Sequence, residues 1–268
     1  MRLLLSMLSA LGLCLPATGH AGGRKVPAGQ WAIEYQEDDC TLSRDGVGAE
    51  LGIAIRTRPL AEPHDLMIYG QFDRGRKDGF QGTLDLDGQV QAGQRWVLIE
   101  PSRGRKRTLL RTTLSAAELA RLGSARAVGI SGPKGFRVNA AAPGVASRLK
   151  ALRECEVYLA GRWGITKAEM DGWAQPARAL TDLGQLFRDK DMTKFGYLRD
   201  AMRGVLTIDA AGRMTDCKIV AASRVSRVNA RFCPTLRERA RFEPARNAAG
   251  EAVPGKVITP RITSARIP

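Results

Sequence analysis

The sequence predicts an α+β protein in two parts, a β-rich N-terminal domain closed by a helix and a small ββαβ C-terminal domain. Three observations carry this. Short alternating apolar and polar runs, punctuated by Asp-Gly and Ala-Gly pairs, fill the stretch from Trp31 to about Ala141. The apolar period becomes helical from Val145. A second strand–strand–helix–strand pattern occupies residues 196–268. With 268 residues, 44% hydrophobic and 6% aromatic, the chain is long enough for one or two domains and too apolar for disorder.

The N-terminus reads as an address. Met1-Arg2 supplies a positive start, Leu3 to Leu15 an apolar run, and Pro16 to Ala21 small and helix-breaking residues. This is the order of a secretory signal peptide over residues 1–21, cut after Ala21. A run this short falls below the roughly 18 residues of a spanning helix. The expected location is therefore periplasmic, with an uncleaved leader anchored in the inner membrane as the alternative. Removing the leader leaves a net charge of +14, one histidine (His64) and four cysteines. An even count in an exported chain favours disulfides, and none of the four forms a CxxC pair.

Within residues 22–165, strands are expected at Trp31–Tyr35, Leu51–Arg58, Asp65–Phe72, Phe80–Leu86, Arg95–Ile99 and Arg107–Leu114. Ser115-Ala116-Ala117-Glu118 is a capping box that opens a short helix. Further strands follow at Ala127–Ile130 and Phe136–Val138. Leu149, Leu152, Val157, Leu159 and Trp163 then share a helical face, with Cys155 inside that helix. Four cysteines allow three pairings. The preferred one joins Cys40 to Cys155, tying the first hairpin to the closing helix. Thr166-Lys167-Ala168-Glu169 is a second capping box, opening a helical connector over residues 166–195.

The last domain, 196–268, has strands at Val205–Ile208, Met214–Val220 and Val257–Ile262, and a helix at Asn229–Ala240 that carries Pro234. A unit this small has a thin core, and Cys217 with Cys233 can staple it.

The motifs Gly204-Val205-Leu206-Thr207-Ile208, Gly212-Arg213-Met214-Thr215, Arg241-Phe242-Glu243-Pro244-Ala245 and Gly250-Glu251-Ala252-Val253 follow one another in this segment. In that order they resemble the C-terminal domain of the TonB energy-transducer family, over about a quarter of the chain. Tyr197-Leu198 stands where the family often has Tyr-Pro, and Ser223-Arg224 where it has Ser-Gly. The long Pro-rich spacer of a transducer is absent. The paired cysteines, and Ala151 to Cys155 followed by Trp163-Gly164, look like a subgroup of exported bacterial proteins with such domains. The resemblance implies a periplasmic setting and recognition of an extended peptide by strand addition, the peptide coming from an outer-membrane receptor or another envelope protein. The expected pairing edge is the last strand, through Val257, Ile258, Thr259 and Arg261, with Pro260 fitting an edge position. An open edge also admits a second copy, a homodimer.

Residues 199–268 carry 14 Lys and Arg against 6 Asp and Glu. Arg231, Arg237, Arg239 and Arg241 crowd the helix and its exit. In an exported chain this basic surface points to an anionic envelope polymer, cell wall or lipopolysaccharide, as the alternative partner. Arg74-Gly75-Arg76-Lys77 and Arg103 to Arg107 add two basic turns, but sparse aromatics argue against nucleic acid.

Catalytic chemistry is not apparent. Ser131-Gly132-Pro133-Lys134 matches S-x-x-K, but Gly-Pro prevents the helical turn that brings the lysine back. His64 is read as a surface loop residue. Asp38 and Asp39, or Asp209 and Asp216, are read as turn and strand-end carboxylates rather than a paired acid and base. No phosphate loop is present, and no metal or cofactor is expected.

Overall fold

A computed structural model of the chain describes residues 26–71, 79–99, 108–187 and 202–262. The leader at 1–21, both basic turns, the end of the connector and the start of the last domain lie outside these residues.

Nine strands form one antiparallel sheet: β1 (Trp31–Tyr35), β2 (Cys40–Arg44), β3 (Gly52–Arg58), β4 (Ala61–Gly70), β5 (Phe80–Leu86), β6 (Gln89–Ile99), β7 (Thr108–Leu114), β8 (Ala127–Ser131) and β9 (Arg137–Ala141). Their order is β1-β2-β3-β4-β7-β6-β5-β8-β9. Period-two alternation puts Ile53, Ile55, Leu66, Ile68, Leu84, Trp96, Leu110, Leu114, Val128 and Ile130 on one face, fully buried. The sheet curls over them until β3 and β9 approach. Trp31 Nε1 donates to the Pro143 carbonyl at 2.7 Å, holding the first hairpin against the chain that leaves β9.

Several boundaries differ from the sequence reading. Strand β4 starts at Ala61 rather than Asp65, because Pro59-Leu60 alone makes the β3–β4 turn. His64 is therefore a strand residue paired with Leu114, not part of a loop. Strand β6 starts at Gln89 rather than Arg95. Ala92-Gly93 is a bulge within it, with Gly93 at φ +79°, where the β5–β6 register slips between Gly82 and Leu84. After Ser131, which ends β8, the chain makes a single 3-10 turn over Pro133–Gly135.

Helix α1 (Ala116–Leu122) carries the expected capping box, Ser115 with Glu118. Helix α2 (Val145–Arg162) lies across β1, β2 and β3 and buries Leu152, Cys155 and Leu159. Cys155 is disulfide-bonded to Cys40.

Among its described residues, 166–187, the connector is only briefly helical. Helix α3 (Lys167–Gly172) has its own capping box, Thr166 with Glu169. The chain is then extended through Pro176 to β10 (Arg178–Ala179) and a single turn, α4 (Leu183–Leu186). Ala177, Leu183 and Phe187 from this stretch enter the core of the last domain. Apolar surface, not helix propensity, decides its path.

The last domain continues with β11 (Arg203–Ile208), β12 (Met214–Ala221), α5 (Ser226–Arg239), β13 (Phe242–Glu243), β14 (Ala245–Arg246), β15 (Ala252–Val253) and β16 (Gly255–Ile258). β12, β11 and β16 form a three-stranded antiparallel sheet with β11 central, while β13 pairs with β10 and β14 with β15. The final strand ends at Ile258 rather than Ile262. Pro260 cannot donate to the ladder, and pairing resumes only at the Met202–Ile262 bridge. Pro234 lies inside α5, and Cys233 of that helix is disulfide-bonded to Cys217 of β12. Gly204 is required where it stands, since a Cβ there would sit 2.5 Å from the Phe232 ring.

This sheet is covered on both faces. Leu206, Ile208 and Val257 pack with Phe232 and Leu236 of α5. Val205 and Ile258 pack with Ala160, Ile165, Met170 and Trp163 at the end of α2 and in α3. The last domain is therefore not the separate unit that its sequence suggests: its central strand is apolar on both sides, and the second side is buried by the rest of the chain.

The Cys40–Cys155 bridge closes a sequence separation of 115 residues. Replacing both cysteines by serine is expected to lower unfolding stability by about 4–5 kcal/mol in the chain-entropy account. Urea denaturation reads this directly, and an unchanged midpoint would contradict it.

Candidate functional site

A cleft of about 1250 Å³ lies where the two parts meet. One wall is the β3–β4 turn, Arg58 to Pro63, with Ser115, Ala116 and Glu118 at the start of α1. The facing wall is β16 and its continuation, Val257 to Pro260. The extended segment Ala174 to Ala179 forms the third side, and Trp163 and Arg203 lie deep. The volume exceeds the roughly 300–1,000 Å³ common for small-molecule pockets.

Two residues of the lining, Arg58 and Arg203, belong to charged networks beside the cleft. Arg203 opens β11 and is only 5% exposed. Its Nη2 is 2.7 Å from Asp38 Oδ2, and its guanidinium carbon is 5.2 Å from the centre of the Trp163 ring. Arg261 Nε reaches the same Asp38 oxygen at 2.6 Å, and Arg261 Nη2 pairs with Glu37 at 2.8 Å. The β1–β2 turn is thus clamped by two arginines from neighbouring segments at one end of the last domain's sheet. Burial works against the Arg203 charge and lowers its pKa, while Asp38 opposes that shift. Behind the turn, buried Asp65 takes Arg56 (2.7 Å) and Arg111 (2.8 Å), with Arg58 at 3.5 Å.

Asp39 belongs to the same cluster but makes no such pair. It is 8% exposed, and its Oδ1 has no hydrogen-bond partner. Burial pushes its carboxyl above the usual range, against the pull of Arg56.

On the opposite wall, β16 is an outer strand. Its register with β11 pairs Leu206 with Val257 and Val205 with Ile258. The Thr259 N–H donates to the Gly204 carbonyl at 2.9 Å, and Thr259 Oγ1 accepts from the Gly204 N–H at 2.9 Å. Antiparallel alternation then turns the N–H and C=O of Lys256 and Ile258 away from β11. The Lys256 side chain is anchored elsewhere, with Nζ 2.7 Å from Glu169 and donating to the Gly164 carbonyl at 3.0 Å. Lys256 is the largest influence holding the Glu169 carboxyl below its ordinary range.

Of the four residues expected on the pairing edge, Val257 and Thr259 are buried and Ile258 lines the cleft. Arg261 lies beyond the strand and is engaged by Glu37 and Asp38. Arg231, Arg237, Arg239 and Arg241 are all exposed, on α5 and its exit, away from the lining of the cleft. Asp209 caps the β11–β12 turn by accepting from Arg213, and Asp216 is an exposed β12 residue. Among the described residues, no three His, Cys, Asp or Glu side chains come together as a metal-binding group. No helix there is long and apolar enough to cross a membrane.

The sequence reading missed Arg58, Arg203 and Trp163 as partners in one site. The one local signal was the Asp38-Asp39 pair beside a cysteine, which marks a carboxylate turn held in place but not the arginines that meet it. Comparisons with family models, curated proteins and solved structures return no match to this chain. The TonB resemblance therefore rests on the quoted motifs.

The raised Asp39 pKa has a defined consequence. Just above pH 3.8 the native chain holds a proton that the unfolded chain has lost, so stability falls as pH rises through that window. Asp39→Asn is expected to gain stability relative to the parent across the window and to keep that gain at pH 7. Urea unfolding from pH 3.5 to 7 checks this; a pH-independent difference would contradict it.

Proposed function

We propose that this chain is an exported envelope protein that binds an extended segment of a partner protein along β16, by backbone pairing within the cleft. The observation that carries the reading is the outer position of β16 on a cleft of about 1250 Å³, with the Ile258 N–H and C=O turned away from β11. The opposite edge strand, β12, suits this role less. Thr215, Asp216 and Lys218 stand exposed along it, and charged side chains protect sheet edges from pairing. Two disulfides support an oxidising compartment, and the residue 1–21 pattern supports export to the periplasm. The motif order in residues 204–253 favours an outer-membrane receptor as the source of the segment.

The exposed arginines of α5 support a second reading, contact with an anionic envelope polymer. Salt separates the two, because contacts through exposed charge are screened while backbone pairing persists.

Ile258→Pro is the decisive variant. It removes an N–H that points away from β11, so the sheet is expected to keep its ladder and the chain its fold. Calorimetric titration of the full chain with a TonB-box peptide should show binding that persists at 0.5 M salt and weakens at least tenfold in the variant. Absence of binding at millimolar peptide would remove that partner. Equal binding by the variant would remove β16 as the edge.

A further inference from the structure

Strand β1 is an outer strand of the nine-stranded sheet, bordered by β2 on one side and by no described strand on the other. Its register with β2 pairs Ala32 with Ser43 and Glu34 with Thr41, and in the turn beyond the Gln36 N–H donates to the Asp39 carbonyl at 3.0 Å. Antiparallel alternation from that turn gives the ladder bonds to Glu34 and Ala32. It turns the N–H and C=O of Trp31, Ile33 and Tyr35 away from β2. No described residue bonds those outward groups. Tyr35 is 53% exposed, and its ring centre stands 5.8 Å from that of Tyr158 on α2, itself 58% exposed.

Sheet edges are protected from pairing by proline, by lysine, by a bulge or by a covering segment. Trp31-Ala32-Ile33-Glu34-Tyr35 has no proline, no lysine and an unbroken register. The opposite edge differs, since β9 exposes Arg137 and Asn139 and is approached by β3. We propose that the β1 edge pairs with β1 of a second copy of this chain, antiparallel about a two-fold axis at Ile33. This register sets Ile33 against Ile33 and Trp31 against Tyr35 of the second copy. The outward groups of Trp31, Ile33 and Tyr35 then all fall in hydrogen-bonded pairs. A slip of two residues leaves Trp31 or Tyr35 without a partner on the other strand. The same register gives each exposed Tyr35 an aromatic neighbour across the strands. It also places Glu34, the one charge on β1, opposite Ala32 rather than opposite a second Glu34. The strand is thus complementary to itself, as a two-fold interface requires. This contact is independent of strand pairing at β16, which lies on another sheet.

Sedimentation equilibrium of the full chain tests this, and the parent should show a monomer–dimer equilibrium at micromolar concentration. Ile33→Pro removes an N–H that points away from β2 and should weaken the dimer at least tenfold. Ala32→Glu opposes Glu34 of the second copy and should weaken the dimer about threefold, a pair that occurs twice in the assembly. Ala32→Lys faces the same carboxylate and should strengthen it about threefold. Ile258→Pro should leave it unchanged. A parent that stays monomeric at high micromolar concentration would overturn the proposal and leave this edge to some other partner. A dimer insensitive to Ile33→Pro, one weakened by Ile258→Pro, or one on which Ala32→Glu and Ala32→Lys act alike would also overturn it. Should circular dichroism show that Ile33→Pro loses the fold, the two Ala32 variants decide, because Ala32 is half-buried on the face away from Tyr35.

Discussion

The buried pairing of Arg203 with Asp38 is the constraint on which the rest depends. Arg203 begins the central strand of the last sheet, and Asp38 sits in the turn of the first hairpin. That hairpin is bonded through Cys40 to α2, and Trp163, the residue that follows α2, lies under the Arg203 guanidinium. The connections close a ring: sheet to turn, turn to helix, helix back to sheet. A guanidinium this buried is costly without its carboxylate, so the pair sets position more than it adds stability. Once that position is set, β16 must face the β3–β4 turn, and the cleft follows.

The same ring explains why the last sheet tolerates being apolar on both faces. Its own helix α5 packs on one face, and the end of α2 with α3 supplies the other. Covering both faces leaves only the edges for recognition. One edge carries exposed charged residues. The other ends at Pro260 and looks into the cleft. Recognition through backbone groups suits such a surface, because it demands shape and register from a partner before it demands particular side chains.

Much of the fold was legible because it rests on local periodicity. Ile53 and Ile55, or Leu66 and Ile68, announce strands by alternation. Ser115 with Glu118 and Thr166 with Glu169 announce helix starts by their spacing. Where a local signal carries two meanings the reading went astray. Ala92-Gly93 has the composition of a turn, but a positive φ serves a bulge equally well. Pro63 suggested a loop around His64, yet β4 runs through it. The connector after Thr166 looked helical, but between Trp173 and Ala179 the chain is extended, with Ala177 buried in the core of the last sheet. The site was legible only in pieces. Its arginines and carboxylates lie up to 224 residues apart, as Glu37 and Arg261 do, and no spacing rule reaches across that distance.

Amide hydrogen exchange, read residue by residue with and without a bound partner peptide, tests backbone pairing at β16 most directly. Val257 and Thr259 donate to β11 and should be protected in the free chain, whereas Lys256 and Ile258 should exchange quickly. Addition of the peptide should slow Lys256 and Ile258. If the peptide binds while those two amides stay fast, recognition does not run through this strand, and the account fails at its centre.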